Sequence, residues 1–110
     1  THMTFQVKEL NTVFNILVSD IVYFEIFKRT IILHTKYENY QFNGRLSDIE
    51  KDERLVNFVK PHKSYYVNIA FVDHVEPNNI CIKNMDKIPM SRNYRQAVTE
   101  KFISYFTGRC

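Results

Sequence analysis

The chain has little glycine, proline or cysteine for its length. Its 110 residues include two Gly, three Pro and two Cys, whereas 45% are hydrophobic and 15% aromatic. This composition excludes a disordered or low-complexity chain. The two cysteines, Cys81 and Cys110, cannot build the disulfide framework of a small secreted protein, and their separation fits no metal-ligand spacing. We interpret Cys81 as a buried apolar side chain and Cys110 as a free, exposed thiol.

Long apolar runs are also missing. No run approaches the ~20 residues that a membrane-spanning helix requires, and no charged-then-apolar leader opens the sequence. We therefore expect a cytoplasmic protein with no membrane partner. The length is that of one domain with its own core. We place this single domain at residues 4–110, because residues 1–3 resemble a cloning scar, and for that reason we discount His2 as a ligand.

The positive charge is unevenly distributed. The net charge is +3, with seven Lys/Arg against eight Asp/Glu in residues 1–55 and eight against four in residues 56–110. A basic second half suits a polyanion such as nucleic acid or a membrane surface, although a bias of this size also arises by chance.

Alternating apolar residues predict a mainly β, antiparallel fold. Period-two patterns and short apolar runs, separated by turn-forming residues, recur along the chain. The strand candidates lie around Phe5–Val7, Val13, Ile21–Phe24, Thr30–Leu33, Tyr40–Phe42, Tyr65–Ile69, Val72–Val75, Asn79–Lys83 and Lys87–Met90. The polar residues from Lys36 to Asn39 could turn a hairpin.

Two segments depart from the strand pattern. Leu46 and Ile49 predict a short amphipathic helix within residues 44–52. A longer helix begins after Ser91, a candidate N-cap, and runs toward Phe106 until Gly108 ends it. Its expected apolar side consists of Tyr94, Ala97, Val98, Phe102, Tyr105 and Phe106.

We find no catalytic constellation, so we expect neither enzymatic activity nor a cofactor or metal. The chain has no glycine-rich phosphate loop, no His-Glu-x-x-His helix and no Gly-x-Ser-x-Gly elbow. We interpret His34 as a satisfied strand histidine. Asp73 and His74 are expected to point opposite ways on a strand, which weighs against acid–base work. The acidic residues Asp48, Glu50, Asp52 and Glu53 are interpreted as the solvated face of the short helix.

Three basic loci adjoin the predicted strands and helices. The first basic locus is Lys28 and Arg29, between two strands. The second basic locus comprises Lys60, His62, Lys63 and Ser64. The third basic locus comprises Ser91, Arg92, Asn93 and Arg95, at the start of the long helix, where the helix dipole favours a phosphate. Singly, each is most simply solvated surface charge; together they flank β elements as nucleic-acid contacts would.

The residue types of the basic loci predict which DNA groups each residue contacts. The planar fork of Arg can bind guanine N7 and O6 bidentately, whereas Lys, Ser and Asn suit phosphate oxygens. We therefore predict that Arg29 and Arg92 read bases and that Lys63 anchors the backbone. The long helix lacks a partner helix at a short turn, which argues against a helix-turn-helix.

Four motifs together resemble the LytTR DNA-binding domain family, over a span from about Phe5 to Phe106. They are SDIVYFE at Ser19–Glu25, LSDIE at Leu46–Glu50, FVKPHKSYYVN at Phe58–Asn68 and IPMSRNY at Ile88–Tyr94. The resemblance implies an elongated stack of small antiparallel sheets with a short helix and a C-terminal helix. It also implies sequence-specific binding of double-stranded DNA at direct-repeat promoter sites, through loops that enter successive major grooves.

The same resemblance places the DNA contacts at Arg29, Lys63 and Arg92. The first-loop contact could instead fall on Lys28 or Thr30, because that loop is short here. Lys60 fits the basic position two before the histidine, and Pro61 is an unusual neighbour that stiffens the loop.

The family serves as the output domain of bacterial two-component response regulators, so we expect an upstream receiver domain in the full-length protein and a possible dimer on DNA. A stand-alone regulator remains open, as does a β-rich module that binds single-stranded RNA or a protein ligand, which the abundance of Tyr and Phe suggests.

Overall fold

The computed structural model describes residues 3–84 and 86–107. The described chain groups into two compact units, the first ending at Val56 and the second beginning at Asn57. Gly108 and Cys110, which we predicted as a helix stop and a free thiol, lie outside the described residues, as does His2.

The first unit consists mainly of antiparallel strands. A hairpin of β1 (Thr4–Glu9) and β2 (Thr12–Leu17) precedes the strands β3 (Ile21–Phe27), β4 (Thr30–Thr35) and β5 (Asn39–Asn43). β4 pairs antiparallel with both β3 and β5. The unit ends with the helix α1 (Leu46–Glu50) and a 3₁₀ turn at Glu53–Leu55.

Alternating burial gives the first unit its core. Ile31 and Leu33 of β4 are fully buried, as is Phe24 of β3, whereas their sequence neighbours in β4 are half-buried. This is the period-two pattern of a strand with one face against a core. The Thr35–Asn39 turn between β4 and β5 confirms the predicted hairpin. Val13, in contrast, is exposed, so the first hairpin buries one strand more fully than the other.

The second unit also has antiparallel strands and adds the long helix. β6 (Phe58–His62) pairs with β7 (Tyr65–Asn68). A 3₁₀ turn at Ile69–Phe71 leads to β8 (Val72–Val75), which pairs with β9 (Asn79–Ile82), and β9 also pairs with β10 (Lys87–Pro89). The chain then enters α2 (Arg92–Phe106).

The helix α2 is less buried than its apolar side suggested. Val98 is its one fully buried residue among those described, whereas Ala97 and Phe106 are exposed. The helix packs against β6, where the Nζ atom of Lys101 donates to the carbonyl of Phe58 at 3.1 Å. The predicted apolar side is therefore only partly covered, since Tyr94, Phe102 and Tyr105 are half-buried.

The prediction of a mainly β, antiparallel fold with one short and one long helix is confirmed. Within the described residues, no helix combines the length and apolar character needed to cross a membrane.

Candidate nucleic-acid interface

The first basic locus forms the tip of a two-residue hairpin in the first unit. Phe27 of β3 pairs with Thr30 of β4, which leaves Lys28 and Arg29 as the connecting residues. Both are exposed, and Thr30 is half-buried at the start of β4. The carbonyl of Arg29 accepts from the Gly44 amide at 2.9 Å, which ties the turn to the end of β5. The cations are thus presented on an anchored turn.

An aromatic ring stands beside these cations. The side chain of Phe27 is 73% exposed, and the Nζ atom of Lys28 lies 5.5 Å from its ring centroid. A cation–π contact of this kind holds the ammonium close to the ring face at an exposed site. The tip therefore offers both a positive charge and an apolar plane.

The second basic locus is a tight turn in the second unit. Lys63 is exposed between β6 and β7, and the Ser64 amide donates to Nδ1 of His62 at 3.1 Å. Since Nδ1 accepts this bond, the ring proton lies on Nε2, which becomes the donor nitrogen. The His62 ring also meets Tyr65 edge-on, with centroids 5.6 Å apart. These contacts fix His62 within the turn and leave Lys63 at its tip.

A β-bulge shapes the strand that leads into this turn. The β6–β7 register shifts between Val59 and His62, because β6 has one more residue there than β7. Pro61, which lacks an N–H to donate, occupies the bulge and is fully buried. Lys60 beside it is half-buried. In a regular strand a proline would cost one hydrogen bond of the strand pair. A bulge leaves its extra residue unpaired, so the unusual proline is tolerated here.

The second and third basic loci are directly linked. The amide of Ser91 donates to the carbonyl of Pro61 at 2.8 Å. This bond joins the start of α2 to the bulge of β6, which has Lys63 two residues further along the chain. Both loci belong to the second unit, and this bond connects the segments that contain Lys63 and Arg92.

The start of α2 is electropositive. Arg92 and Asn93 are exposed, and the first turn contains no acidic residue. The unpaired N–H groups of a first turn and the helix dipole both favour an anion at this end. Ser91 is the N-cap as predicted, although its hydroxyl makes no capping hydrogen bond.

Arg95 differs from Arg92, the other cation of the third basic locus. It is half-buried, and its Nη2 atom lies 3.4 Å from Oδ1 of Asn78, in the turn between β8 and β9. The amide of Met90 donates to the Asn78 carbonyl at 2.9 Å. Asn78 therefore helps to position the start of α2, a role that the sequence did not reveal because the two segments are distant along the chain.

Two other predictions about side chains have clear outcomes. His34 is a satisfied strand histidine, since its Nε2 atom lies 2.6 Å from Oε1 of Glu25 and its ring stacks on Tyr23. Asp52, in contrast, lies beyond the end of α1. It accepts from the Arg54 amide at 3.0 Å and pairs with the Arg54 guanidinium, so it is a cap and ion-pair residue instead of part of a solvated helix face.

Comparisons with known proteins give the family of this chain. A family model described as the LytTr DNA-binding domain matches residues 11–103. The sensory transduction protein LytT of Bacillus cereus is 29% identical over 82 residues, which cover 70% of this chain and 33% of that protein. Its namesake in Enterococcus faecalis is 28% identical over 87 residues, with coverages of 74% and 36%. The chain thus spans about a third of the length of these relatives.

A solved LytTr DNA-binding domain from Bacillus cereus has the same fold. It superposes with a TM-score of 0.75 at 15% identity, covering 89% of this chain and 94% of that one. The resemblance seen in the four motifs is confirmed by the family model, which matches residues 11–103. The chain belongs to the LytTr DNA-binding domain family.

Proposed function

We propose that the chain binds specific double-stranded DNA sequences as the output domain of a bacterial two-component response regulator. In this proposal it controls transcription from direct-repeat promoter sites through turns inserted into major grooves, has no catalytic role, and acts in the cytoplasm. Family membership supports DNA binding, and two relatives are named sensory transduction proteins. Since the chain spans about a third of those relatives, we also propose an upstream receiver domain and a possible dimer on DNA.

We further propose that both units act as one domain over residues 4–110, with residues 1–3 left from cloning. The family model supports this, because its match runs from residue 11 to residue 103 and so includes most of each unit.

The hydrogen bond between the Ser91 amide and the Pro61 carbonyl carries the assignment of the contact surface. It links the exposed Lys63 turn to a helix start that has exposed Arg92 and no acid in its first turn. The N-terminal end of a helix favours phosphate binding, and an arginine guanidinium can form two hydrogen bonds with guanine. We assign base reading to Arg92 and phosphate binding to Lys63, with Lys60, His62, Ser64, Ser91, Asn93 and Arg95 around them.

The test is a fluorescence anisotropy titration of duplexes selected from a random pool, with Arg92→Ala and Lys63→Ala compared. Loss of a bidentate base contact should weaken the binding free energy by about 1–3 kcal/mol and relax specificity at one base pair of the DNA site. Loss of a phosphate contact weakens all sequences alike and lowers the slope of log K against log salt by about 0.9. The matched control is Lys83→Ala, which removes an equal charge from an exposed turn outside the loci.

An affinity that does not change with salt would contradict the proposal, as would equal losses in all three variants. Equal weakening by Arg92→Ala on every sequence would reassign Arg92 to the phosphate backbone.

The exposed ring of Phe27 favours a second candidate, the binding of single-stranded RNA. Exposed aromatic side chains stack unpaired bases, and this ring stands beside Lys28 and Arg29. A competition titration separates the two candidates: preference for single strands over duplex, abolished by Phe27→Ala, would favour the second.

A further inference from the structure

Three different ligand types converge on the hairpin of β8 and β9. The imidazole of His74, the carboxylate of Glu76 and the thiol of Cys81 each offer a donor atom, and these atoms all lie within 4.8 Å of one another. His74 and Cys81 are directly opposite each other across the two strands. None of the three belongs to the basic loci, so this cluster needs an explanation of its own.

A β-bulge produces this arrangement. The register of β8 against β9 shifts between Val72 and His74, with one extra residue in β8. A bulge re-aims side chains that would otherwise alternate between the two faces of a strand. Asp73 and His74 consequently lie side by side, with Oδ2 of Asp73 2.7 Å from Nδ1 of His74. Our expectation that these two side chains point apart was therefore wrong.

The contact with Asp73 prepares His74 as a ligand. When Nδ1–H donates to the Asp73 carboxylate, the lone pair of a neutral ring lies on Nε2. Metal-binding histidines usually donate their second ring nitrogen to a carboxylate in this way, which orients the ring and raises its basicity. The Nε2 atom of His74 lies 3.3 Å from Oε2 of Glu76, about the separation of two ligands that share a tetrahedral zinc ion.

Cys81 completes the set. Its side chain is 5% exposed on β9, and its Sγ atom lies within 4.8 Å of the ligand atoms of His74 and Glu76. Lys87, which faces Cys81 from β10, places its Nζ atom 3.6 Å from Oε1 of Glu76. This ammonium now balances the carboxylate, and because the side chain is 60% exposed it can turn into solvent when a cation binds.

We propose that His74, Glu76 and Cys81 form a site for a borderline-soft divalent cation of the zinc class, with Asp73 as the orienting partner of His74. Nitrogen, oxygen and sulfur donors in one tetrahedral set suit Zn²⁺, and Co²⁺ takes the same geometry as a spectroscopic substitute. The ion bonds to Sγ of Cys81 and to Nε2 of His74; the Sγ–H bond breaks, the proton between Nε2 and Oε2 of Glu76 is also released, and both protons pass to solvent. Water fills the fourth position. The inference is independent of the proposed DNA-binding function.

The test is a titration of the chain with Co²⁺ in a Cys110→Ser background, which removes the other thiol. We expect one Co²⁺ per chain, a thiolate-to-cobalt charge-transfer band in the near ultraviolet, and loss of that band on addition of Zn²⁺. The band should disappear in His74→Gln and in Glu76→Gln. Neither of these side chains is buried, so we expect both variants to keep the fold. Cys81→Ser changes a buried position, so its folding must be checked by circular dichroism.

The matched control is His34→Gln. His34 also faces a glutamate across paired strands, at 2.6 Å from Glu25, and no cysteine adjoins that pair in the described residues. It should bind Co²⁺ as the parent does. Asp73→Asn should keep the band with an affinity about 10–100-fold weaker, because it disturbs only the orientation of His74. Lys87→Met should tighten binding by removing a competing cation.

Two results would overturn the proposal. One is the absence of a thiolate-to-cobalt band when Co²⁺ is in large excess over the chain. The other is a band of equal intensity and affinity in His74→Gln and Glu76→Gln, since this would mean that the thiol binds the ion without them.

Discussion

Two hairpin residues adopt a backbone conformation that their side chains disfavour. Leu10, between β1 and β2, has φ 56°, and Lys28, between β3 and β4, has φ 59°. Left-handed backbone of this kind costs a residue with a Cβ atom roughly 1–2 kcal/mol, and two-residue hairpins normally place Gly or Asn there. Strain of this size is held by the flanking strand pairs, and it keeps the Lys28 side chain at the exposed tip.

Lys28→Gly should therefore stabilise the protein. Glycine relieves the strained φ but adds freedom to the unfolded chain, so we expect a net gain of about 0.5–1 kcal/mol in the free energy of unfolding. Arg29→Gly is the matched control, because Arg29 does not have a positive φ. It should lose about 0.5–1 kcal/mol. Urea denaturation measures both, and a loss in Lys28→Gly equal to that in Arg29→Gly would refute the strain.

The ion pair of Asp52 and Arg54 in the first unit has several supporting contacts. Oδ1 of Asp52 lies 2.9 Å from Nε of Arg54, whose Nη1 donates to the Thr4 carbonyl at 2.7 Å and whose guanidinium lies over the Phe5 ring. The hydrogen bond from the Arg54 guanidinium lowers the pKa of the Asp52 carboxyl. The folded state therefore prefers the ionised carboxylate.

Asp52→Asn should destabilise the protein more at neutral pH than in acid. A lowered folded pKa contributes stability above the unfolded value of about 3.9, and this stability is lost as the pH falls through the folded pKa. At pH 7 we expect a loss of about 1–2 kcal/mol, since part of the Arg54 side chain is screened by solvent. The amide can still cap the 3₁₀ turn, so the ion pair alone is removed. Denaturation curves at pH 7 and pH 3 test this; a difference from the parent that is the same at both values would contradict it.

Regular elements followed from sequence patterns, whereas their irregularities did not. Alternation predicted β4 and the hairpin after it, and Ser91 predicted the start of α2. The bulges in β6 and β8 were not predicted, because a one-residue slip depends on which partner strand is chosen and leaves little local signal. The bulge in β8 is what overturned our prediction for Asp73 and His74.

Distance along the chain limited the site prediction in the same way. The exposed cations were found as basic runs beside apolar strands, without knowledge of the fold. The bonds that position them join segments far apart in sequence, such as Ser91 with Pro61 and Arg95 with Asn78. Spacing rules do not encode such pairs, so the sequence predicted which residues stand out and not what holds them.

Val98 should dominate the packing of α2. It is 1% exposed, whereas Ile103 on the same helix is 54% exposed. Val98→Ala removes two buried methyl groups and leaves a cavity, which costs about 2 kcal/mol in the free energy of unfolding. Ile103→Ala removes more carbon atoms from a surface position and should change stability by less than about 0.5 kcal/mol. Thermal or urea unfolding compares them, and a larger loss in Ile103→Ala would show that α2 buries its other side.

At the scale of the whole chain, the cations proposed for DNA binding come from both units. Lys28 and Arg29 lie in the first unit, and the Lys63 turn and the start of α2 lie in the second. The excess positive charge is in the second half, so we expect most of the salt dependence of binding to come from there. The first unit would then contribute mainly to sequence specificity, through base contacts made by its hairpin tip.

Arg29→Ala and Arg92→Ala should weaken DNA binding independently. If each arginine reads its own base pair, each single variant loses about 1–3 kcal/mol at a different position of the site. Two contacts that share no partner give additive losses, so the double variant should match the sum to within about 0.5 kcal/mol. Anisotropy titrations against a series of single base-pair substitutions measure both the size and the position of each loss.

Lys51→Ala, which removes an exposed cation from the first unit outside the hairpin tip, serves as the control. Losses that map to the same base pair, or an Arg29→Ala variant that behaves like Lys51→Ala while Lys28→Ala or Thr30→Ala is selective, would move the first-loop contact away from Arg29.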